Sequence, residues 1–286
     1  MVMREFIVET DSKLFSSAGE VKTIKIPMYA HVSKMVLYGE FTFKNGDTSP
    51  SYNTGFPFII IRKITLYGNG AIPLLELKGS DLKIVSEFMT GQSVEYDSAD
   101  TTAGATKTYK FRVILPVFQP ATAFSYLDVK IELETLSNIG SDITFNSGKI
   151  KILPVYELTI PFVIRGYRQE KTINGEDSFT LPIGEKPKWI ILKSSNLSRV
   201  KLIHNRKEII NATADTLRAY SNDLLNKTAD SGLYVVDLRV DDLINSNTQF
   251  RVTTSSSETV TFILFTIIGE ATRKETVRSN PKLVLF

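Results

Sequence analysis

The chain has 286 residues, of which 42% are hydrophobic and 23% are charged, and its formal charge is only +3. Such a composition is typical of a globular protein with a buried core, and the interspersed charges exclude the one-sided basic surface of a typical nucleic-acid-binding protein. The absence of cysteine excludes disulfide scaffolds, thiolate nucleophiles and cysteine-ligated zinc. Residues 1–13 lack the basic and apolar regions of a signal peptide, and no apolar run approaches the roughly 18 residues of a membrane-spanning helix. We therefore expect a soluble protein that is made without an export signal.

The first predicted elements form a pair of strands. TIKIPMYAHVSKMVLY (23–38) contains an alternating strand that ends at Pro27, a polar interruption and a second apolar strand. Most later segments also alternate with period two, as strands with one buried face do. LDVKIELETL (127–136) is apolar on one face and charged on the other, whereas TVTFILFTIIG (259–269) is apolar on both faces, which predicts a central strand.

Asn-Gly dipeptides mark three of the breaks between strands. Asparagine and glycine accept the positive φ angles that tight hairpins need, so a hairpin is predicted at each dipeptide. The three are Asn45-Gly46, Asn69-Gly70 and Asn174-Gly175. Gly68 and Gly70 lack the third glycine and the following helix of a dinucleotide-binding loop, which also favours a turn.

Two segments have helical rather than strand spacing. In GSDLKIVSEFMTG (79–91), Ser80 or Asp81 is the predicted N-cap and Gly91 the predicted end. In NATADTLRAYSNDLLNK (211–227), Thr213 or Asp215 is the predicted cap. The apolar positions are Leu82, Val85, Phe88 and Met89 in the first helix and Leu217, Tyr220, Leu224 and Leu225 in the second.

The same order of elements occurs twice along the chain. SFTLPIGEKPKWIILK (178–193) lies 155 positions after the opening strand pair, and proline and leucine recur at the same places in both. The matches are Pro27 with Pro182 and Leu37 with Leu192, then Ile64 with Val200 and Leu66 with Leu202 (136 apart), and Tyr109 with Tyr234 (125 apart). Each copy is thus predicted to contain four strands, a helix and three more strands. The first copy has the longer loops, at 44–57 and 91–107.

This doubled arrangement resembles the double jelly-roll major capsid proteins of internal-membrane-containing icosahedral bacteriophages and archaeal viruses, the lineage that includes the adenovirus hexon. The blocks 23–37 and 178–192, each with its later helix, carry the resemblance. It implies an all-β fold of two tandem jelly rolls, each an eight-stranded β-sandwich barrel with one short helix. The implied domains are residues 1–160, an N-terminal jelly roll, and residues 161–286, a C-terminal jelly roll with a C-terminal tail.

The resemblance also implies a function. Trimers of pseudo-hexagonal outline would tile the icosahedral capsid of a double-stranded DNA virus over an internal membrane. The expected partners are further copies of the chain, minor capsid or vertex proteins and the viral membrane, with no specific nucleic-acid binding. The expected location is the virion, after synthesis in the host cytoplasm.

Residues able to carry out chemistry are few and scattered. His31 and His204 occupy non-equivalent positions in the two copies, and each is expected to be a solvated turn residue rather than a metal or catalytic group. The adjacent pair Asp241-Asp242 would point to opposite faces of a strand, and Glu132 and Glu134 are expected on a wet strand surface. We therefore predict no enzymatic activity, no cofactor, and no catalytic or metal-binding residue.

A rival hypothesis is a two-domain carbohydrate-binding or host-attachment spike protein. Its recognition surface would be the loops 44–57 and 91–107, which are flanked by Tyr52, Phe56, Phe58, Tyr96 and Tyr109. Sugar-binding jelly rolls often place stacking rings at such loops. The alternative for these rings is that they anchor the ends of the loops onto the sandwich.

Two further features of the second copy bear on its surroundings. The glycosylation pattern N-x-S/T occurs at Asn196, Asn211 and Asn226, which we expect to be unmodified in a protein without a signal peptide. The tail ATRKETVRSNPKLVLF (271–286) is basic with an apolar end. It is suited either to an anionic membrane or to a site beneath a neighbouring subunit, and the alternative is a frayed terminus.

Overall fold

The computed structural model describes residues 5–8, 10, 12–160, 162–180, 186–204, 206–226, 228–237 and 248–270. The expectations for Pro182, the Asp241-Asp242 pair and the 271–286 tail lie outside these residues. The described chain divides into two compact units, of which the second runs from Phe162 to Glu270.

The first unit contains eleven strands and two α-helices among its described residues. Its elements are β1 (Glu5–Ile7), β2 (Lys13–Phe15), β3 (Val21–Pro27), β4 (His31–Asn45), β5 (Ser51–Tyr52), a 3₁₀ helix (Phe58–Ile60), β6 (Ile61–Gly68), β7 (Ile72–Lys78), α1 (Gly79–Thr90), β8 (Thr106–Gln119), β9 (Tyr126–Leu133), α2 (Leu136–Ile139), β10 (Gly140–Ser141) and β11 (Ile143–Glu157). The expectation of one helix in this copy is therefore wrong. The one-turn helix α2 forms in the connection before β10, where the backbone N–H of Asn138 donates to the carbonyl of Thr135.

The second unit contains eight strands and one α-helix among its described residues. They are β12 (Phe162–Ile173), β13 (Glu176–Thr180), β14 (Lys186–Lys193), β15 (Leu197–His204), β16 (Lys207–Thr213), α3 (Ala214–Leu225), β17 (Leu233–Asp237), β18 (Thr248–Thr254) and β19 (Glu258–Glu270). β19 pairs with β12 and β14, which confirms the central strand predicted from its apolar faces.

Both units are sandwiches of two antiparallel sheets with the same strand order. In the first unit one sheet has the order β1-β11-β4-β8, with β2 also paired to β11, and the other has the order β7-β6-β9-β3. In the second unit the corresponding orders are β12-β19-β14-β17 and β16-β15-β18-β13. Eight strands of the first unit thus have a counterpart with the same neighbours in the second unit, and the short strands β2, β5 and β10 are additions to the first. This is the connectivity of a jelly roll, and the predicted all-β double jelly roll is confirmed.

The strand registers support the predicted correspondence between the first parts of the copies. In the sheet that contains β6 and in the sheet that contains β15, three neighbouring strands place three residues side by side. The first residue of each series is one that the sequence comparison matched, and the last lies in the first part of its copy. The two series are Ile64–Ile131–Lys22 in the first unit and Val200–Val252–Asp177 in the second. Lys22 and Asp177 are 155 positions apart, as the match of the opening strand pairs requires.

The predicted match of Tyr109 with Tyr234 is wrong by four residues. Leu37 lies opposite Val113, and its counterpart Leu192 lies opposite Tyr234, so Val113 corresponds to Tyr234. A shift by an even number of residues keeps every side chain on the same face of its strand. Alternation alone therefore could not fix this register.

The helices α1 and α3 pack through the leucines predicted to face the core. Leu82 is 0% and Leu217 is 3% exposed. Thr213 is the N-cap of α3 as predicted, whereas Asp81 lies in the first turn of α1 and accepts the backbone N–H of Lys78. Tyr220 departs from the prediction, since it is 38% exposed and its hydroxyl donates to the carbonyl of Asp237 at the end of β17.

Each helix also covers the free side of an edge strand through a buried serine. The backbone N–H of Ile114 in β8 donates to Ser86 Oγ at 2.8 Å, and the N–H of Val235 in β17 donates to Ser221 Oγ at 2.7 Å. Unpaired backbone N–H and C=O groups at a sheet edge can pair with a strand of another chain. The two units therefore protect equivalent edges with the same device.

Only one of the three Asn-Gly dipeptides forms the predicted hairpin. Asn69 and Gly70 have φ angles of 49° and 76° and connect the paired strands β6 and β7. The strands on either side of Asn174-Gly175 belong to different sheets, and so do those that flank Asn45-Gly46. A dipeptide favours a turn, but it does not determine which sheet the next strand joins.

The core of the second unit lies between its two sheets. Alternate residues of β14 and β19 pack against alternate residues of β15 and β18, with α3 adding Leu217. The strand residues of this cluster include Ile190, Leu192, Phe262, Leu264, Val200, Leu202, Phe250 and Val252. Among the described residues, no helix is long and apolar enough to cross a membrane.

Candidate functional site

The long loops of the first unit are fixed by an aromatic cluster. The ring centroids of Tyr52 and Phe56 are 4.2 Å apart, and those of Phe56 and Tyr109 are 4.7 Å apart in an edge-to-face arrangement. Phe43 of β4 contacts all three rings and is 0% exposed. These aromatic residues therefore anchor the loop ends and do not form an open recognition surface.

A hydrogen-bonded network joins the same two loops. Asn45 Nδ2 donates to the carbonyls of Asp100 and Thr102, both at 2.8 Å, and the Tyr52 hydroxyl donates to Asn45 Oδ1. Burial and the neighbouring Tyr109 hydroxyl raise the pKa of Tyr52. Hydrogen bonds from Thr102 lower the pKa of Asp100. Tyr52 thus stays a neutral donor and Asp100 a charged acceptor near neutral pH.

The loop after β4 is also held at its beginning. Asp142 Oδ2 accepts the backbone N–H groups of Thr48 at 3.1 Å and Ser49 at 2.8 Å. A Cβ atom on Gly46 would lie 1.9 Å from Asp142 Oδ1, so this position requires glycine while Asp142 occupies that place. The beginning of this loop is therefore fixed to the rest of the unit by Asp142.

The remaining polar side chains of this region lie on the outer face of β4 and β8 and on the neighbouring segment 95–97, where the Asp97 carboxylate accepts the backbone N–H of Lys110. Residues 95–97 run beside the edge of β8, where the Arg112 N–H donates to the Glu95 carbonyl and the Asp97 N–H donates to the Lys110 carbonyl. The adjoining cavity has a volume of about 520 Å³. We call the side chains that line it the charged face: Tyr38, Glu40, Glu95, Asp97, Lys110 and Arg112.

Opposite charges alternate across the charged face. Lys110 Nζ is 3.9 Å from Glu40 Oε1, and their side chains are 67% and 48% exposed. The Arg112 guanidinium lies over the Tyr38 ring at 5.7 Å from its centroid. An exposed ion pair of this kind contributes little to stability, so the side chains of Glu40 and Lys110 can contact another surface.

Solved structures with the same fold are known, although no protein-family model and no curated protein sequence matches the chain. The major capsid protein of Sulfolobus turreted icosahedral virus is 14% identical with a TM-score of 0.76, covering 92% of this chain and 97% of that chain. The major capsid protein P2 of bacteriophage PM2 is 12% identical with a TM-score of 0.61, covering 92% and 97%. The chain of the PBCV-1 virus capsid is 8% identical with a TM-score of 0.61, covering 96% and 97%. The chain has the double jelly-roll fold of viral major capsid proteins.

Within this double jelly roll, the expected solvation of His31 is wrong. His31 is the first residue of β4, is 0% exposed, and accepts the backbone N–H of Ala121 at Nδ1 over 3.2 Å. The partner lies 90 residues away in sequence, so no local pattern could reveal it. The backbone of His204 ends β15, and its side chain lies outside the described residues.

Glu132 and Glu134 of the first jelly roll contact different partners. Glu132 is 8% exposed rather than wet, and it forms ion pairs with Lys130 at 2.8 Å and with Arg62. The hydrogen bonds from Lys130 and Arg62 lower its pKa. Glu134 instead accepts the backbone N–H of Thr135 beside α2. No cluster of three or more His, Cys, Asp or Glu side chains suited to a metal occurs in the described part of the chain.

Of the aromatic residues predicted at the loops, Tyr96 is the most exposed. It is 43% exposed and packs edge-to-face on Phe58 at 5.0 Å. Tyr38, which the sequence pattern did not single out, is 37% exposed on the charged face. In the second jelly roll, Asn211 and Asn226 are exposed and Asn196 is half-buried.

Proposed function

We propose that this chain is a viral major capsid protein that self-assembles into an icosahedral shell. The observation that carries the proposal is the repetition of one jelly-roll connectivity in two units of one chain. The similarity to a major capsid protein extends over 92% of this chain and 97% of that one, so both units are part of it.

The duplication favours a trimer. Three copies with two similar units each supply six units, which can close a ring of pseudo-sixfold symmetry and tile a shell. Such a ring uses heterologous contacts, in which one surface of a copy meets a different surface of the next. Such contacts do not require the two units to be identical in sequence, but they do require the outer surfaces of the two units to differ.

The charged face is our candidate for one such contact. Its exposed pairs of opposite charge could exchange partners with a neighbouring copy, and interfaces of this kind associate faster at low salt. Lys110→Glu should slow assembly of the purified protein and weaken its salt dependence. Lys207→Glu, at an exposed lysine of the second jelly roll, is the matched control. Equal assembly rates for both variants would exclude the charged face as a contact.

Finer features extend the proposal. The domains are residues 1–160 and residues 161–286, the latter including a tail that contacts the internal viral membrane or a neighbouring subunit. Further partners are minor capsid or vertex proteins. The chain is made in the host cytoplasm, functions in the virion and has no enzymatic activity.

The rival spike hypothesis loses most of its support because Tyr52, Phe56 and Tyr109 are committed to an internal cluster. Quantifying the proteins of purified particles separates the two functions. A shell subunit should be the most abundant protein of the particle. A protein present in only a few copies per vertex would contradict the proposal and favour the spike.

A further inference from the structure

We propose that Asn174 is a site of spontaneous deamidation, at which the folded protein converts asparagine into aspartate and isoaspartate. In this reaction the backbone nitrogen of Gly175 attacks Asn174 Cγ, forms a new C–N bond and expels the side-chain nitrogen as ammonia. Water then opens the resulting succinimide at either carbonyl. No cofactor or oxidant is needed, and the inference does not depend on the proposed capsid function.

Three features favour the reaction at this dipeptide. Asn174 is exposed, and among the described residues no hydrogen bond holds its side-chain amide or the N–H of Gly175. The absence of a side chain on Gly175 leaves the attacking nitrogen unhindered, and a Cβ built there would meet nothing within 4 Å. The Gly175 carbonyl accepts the N–H of Thr254 at 2.8 Å, and this bond leaves both reacting groups available.

The fold protects the Asn-Gly dipeptide at Asn45, whose exposure, side-chain amide and following backbone N–H all differ from those at Asn174. Asn45 is 2% exposed, so little water reaches it. Its leaving nitrogen donates to two carbonyls at 2.8 Å, and its oxygen accepts the Tyr52 hydroxyl. The N–H of Gly46, which would have to attack, donates to the Asp142 carbonyl at 2.7 Å. Attack would require these bonds to break first.

Asn69 is an intermediate case. It is exposed, but its Oδ1 accepts the backbone N–H of Ser125 at 2.9 Å and that of Tyr126 at 3.5 Å. These bonds restrain the rotation that would bring Cγ to the nitrogen of Gly70. The structure therefore assigns a rate order of Asn174, then Asn69, then Asn45.

The test follows all three sites in the same sample. The purified full-length protein is aged in mildly alkaline buffer, and peptide mass spectrometry measures aspartate and isoaspartate at each Asn-Gly. Incubation in heavy-oxygen water labels products formed through the succinimide. The matched control is the denatured chain, in which the same three dipeptides react without structural protection.

In the denatured chain the three sites should convert at similar rates. In the folded protein Asn174 should stay within a few-fold of its denatured rate. Each hydrogen bond that must open slows a site by about fivefold, so Asn69, with two such bonds, should slow about 25-fold and Asn45, with four, about 600-fold. Asn174→Ser should remove the fast signal and leave the other two sites unchanged. Faster conversion at Asn45 or Asn69 than at Asn174, or equal protection of all three, would overturn the proposal.

Discussion

Replacing Ser221 with alanine should destabilise the second jelly roll. Ser221 is 0% exposed, and its Oγ accepts the N–H of Val235 at 2.7 Å and donates to the Leu217 carbonyl at 2.6 Å. Alanine leaves the Val235 N–H without its acceptor in a site that water does not reach. A buried donor left in this state costs about 1–3 kcal/mol. For a unit of this size about 4 °C of melting temperature corresponds to 1 kcal/mol, so the transition should fall by about 4–12 °C.

Differential scanning calorimetry of the purified protein measures this shift. Ser198→Ala is the control, because the Ser198 hydroxyl donates to the Thr253 carbonyl at 3.0 Å but is exposed, so water can replace the bond. Its effect should stay below about 0.5 kcal/mol. If Ser221→Ala and Ser198→Ala have the same melting temperature, the buried hydrogen bond between the helix and the strand does not contribute to stability as we argue.

Three other perturbations test the packing, the loops and the electrostatics. Leu82→Asp and Leu217→Asp each place a carboxylate on the buried side of a helix and should lower the free energy of unfolding by about 3–5 kcal/mol. A melting temperature equal to that of the unaltered protein would show that the helices do not pack there. Asp142→Ala removes the acceptor that holds the loop after β4 and should accelerate limited proteolysis of that loop, whereas the exposed neighbour Asp47→Ala should not; equal cleavage of both variants contradicts this role. Hydrogen bonds, first of all from a nearby serine hydroxyl, lower the pKa of Glu20 from 4.5 to about 2, so its stabilising contribution is complete above pH 4.5 and is lost as the pH falls towards 2. Titration of its carboxyl by NMR should show this low midpoint, and a midpoint at the ordinary value would refute it.

The element order could be predicted from the sequence because each element has its own local period. Leu82 and Leu217 recur at helical spacing and are buried in the structure, as expected. The serines that close the sheet edges were missed, although a signal was present. Ser86 lies four residues after Leu82 and Ser221 lies four residues after Leu217, so aligning the two helices on these leucines identifies both serines.

Contacts between distant parts of the chain could not be predicted. The burial of His31 depends on Ala121 in another connection, and the register of Tyr234 depends on strand pairing that alternation leaves free. The turns show the same limit, since Asn69-Gly70 forms a hairpin while Asn174-Gly175 connects two sheets. Local chemistry determines the conformation of a turn, whereas packing determines where the chain goes next.

Electron cryomicroscopy of intact particles purified with this protein tests the central proposal most directly. We expect threefold blocks in the shell, each with six upright jelly-roll barrels supplied by three copies of the chain. Both units of the chain should fit the density in alternation around each block. Density for this protein only in fibres at the vertices, or its absence from the particles, would contradict the proposal that it builds the shell.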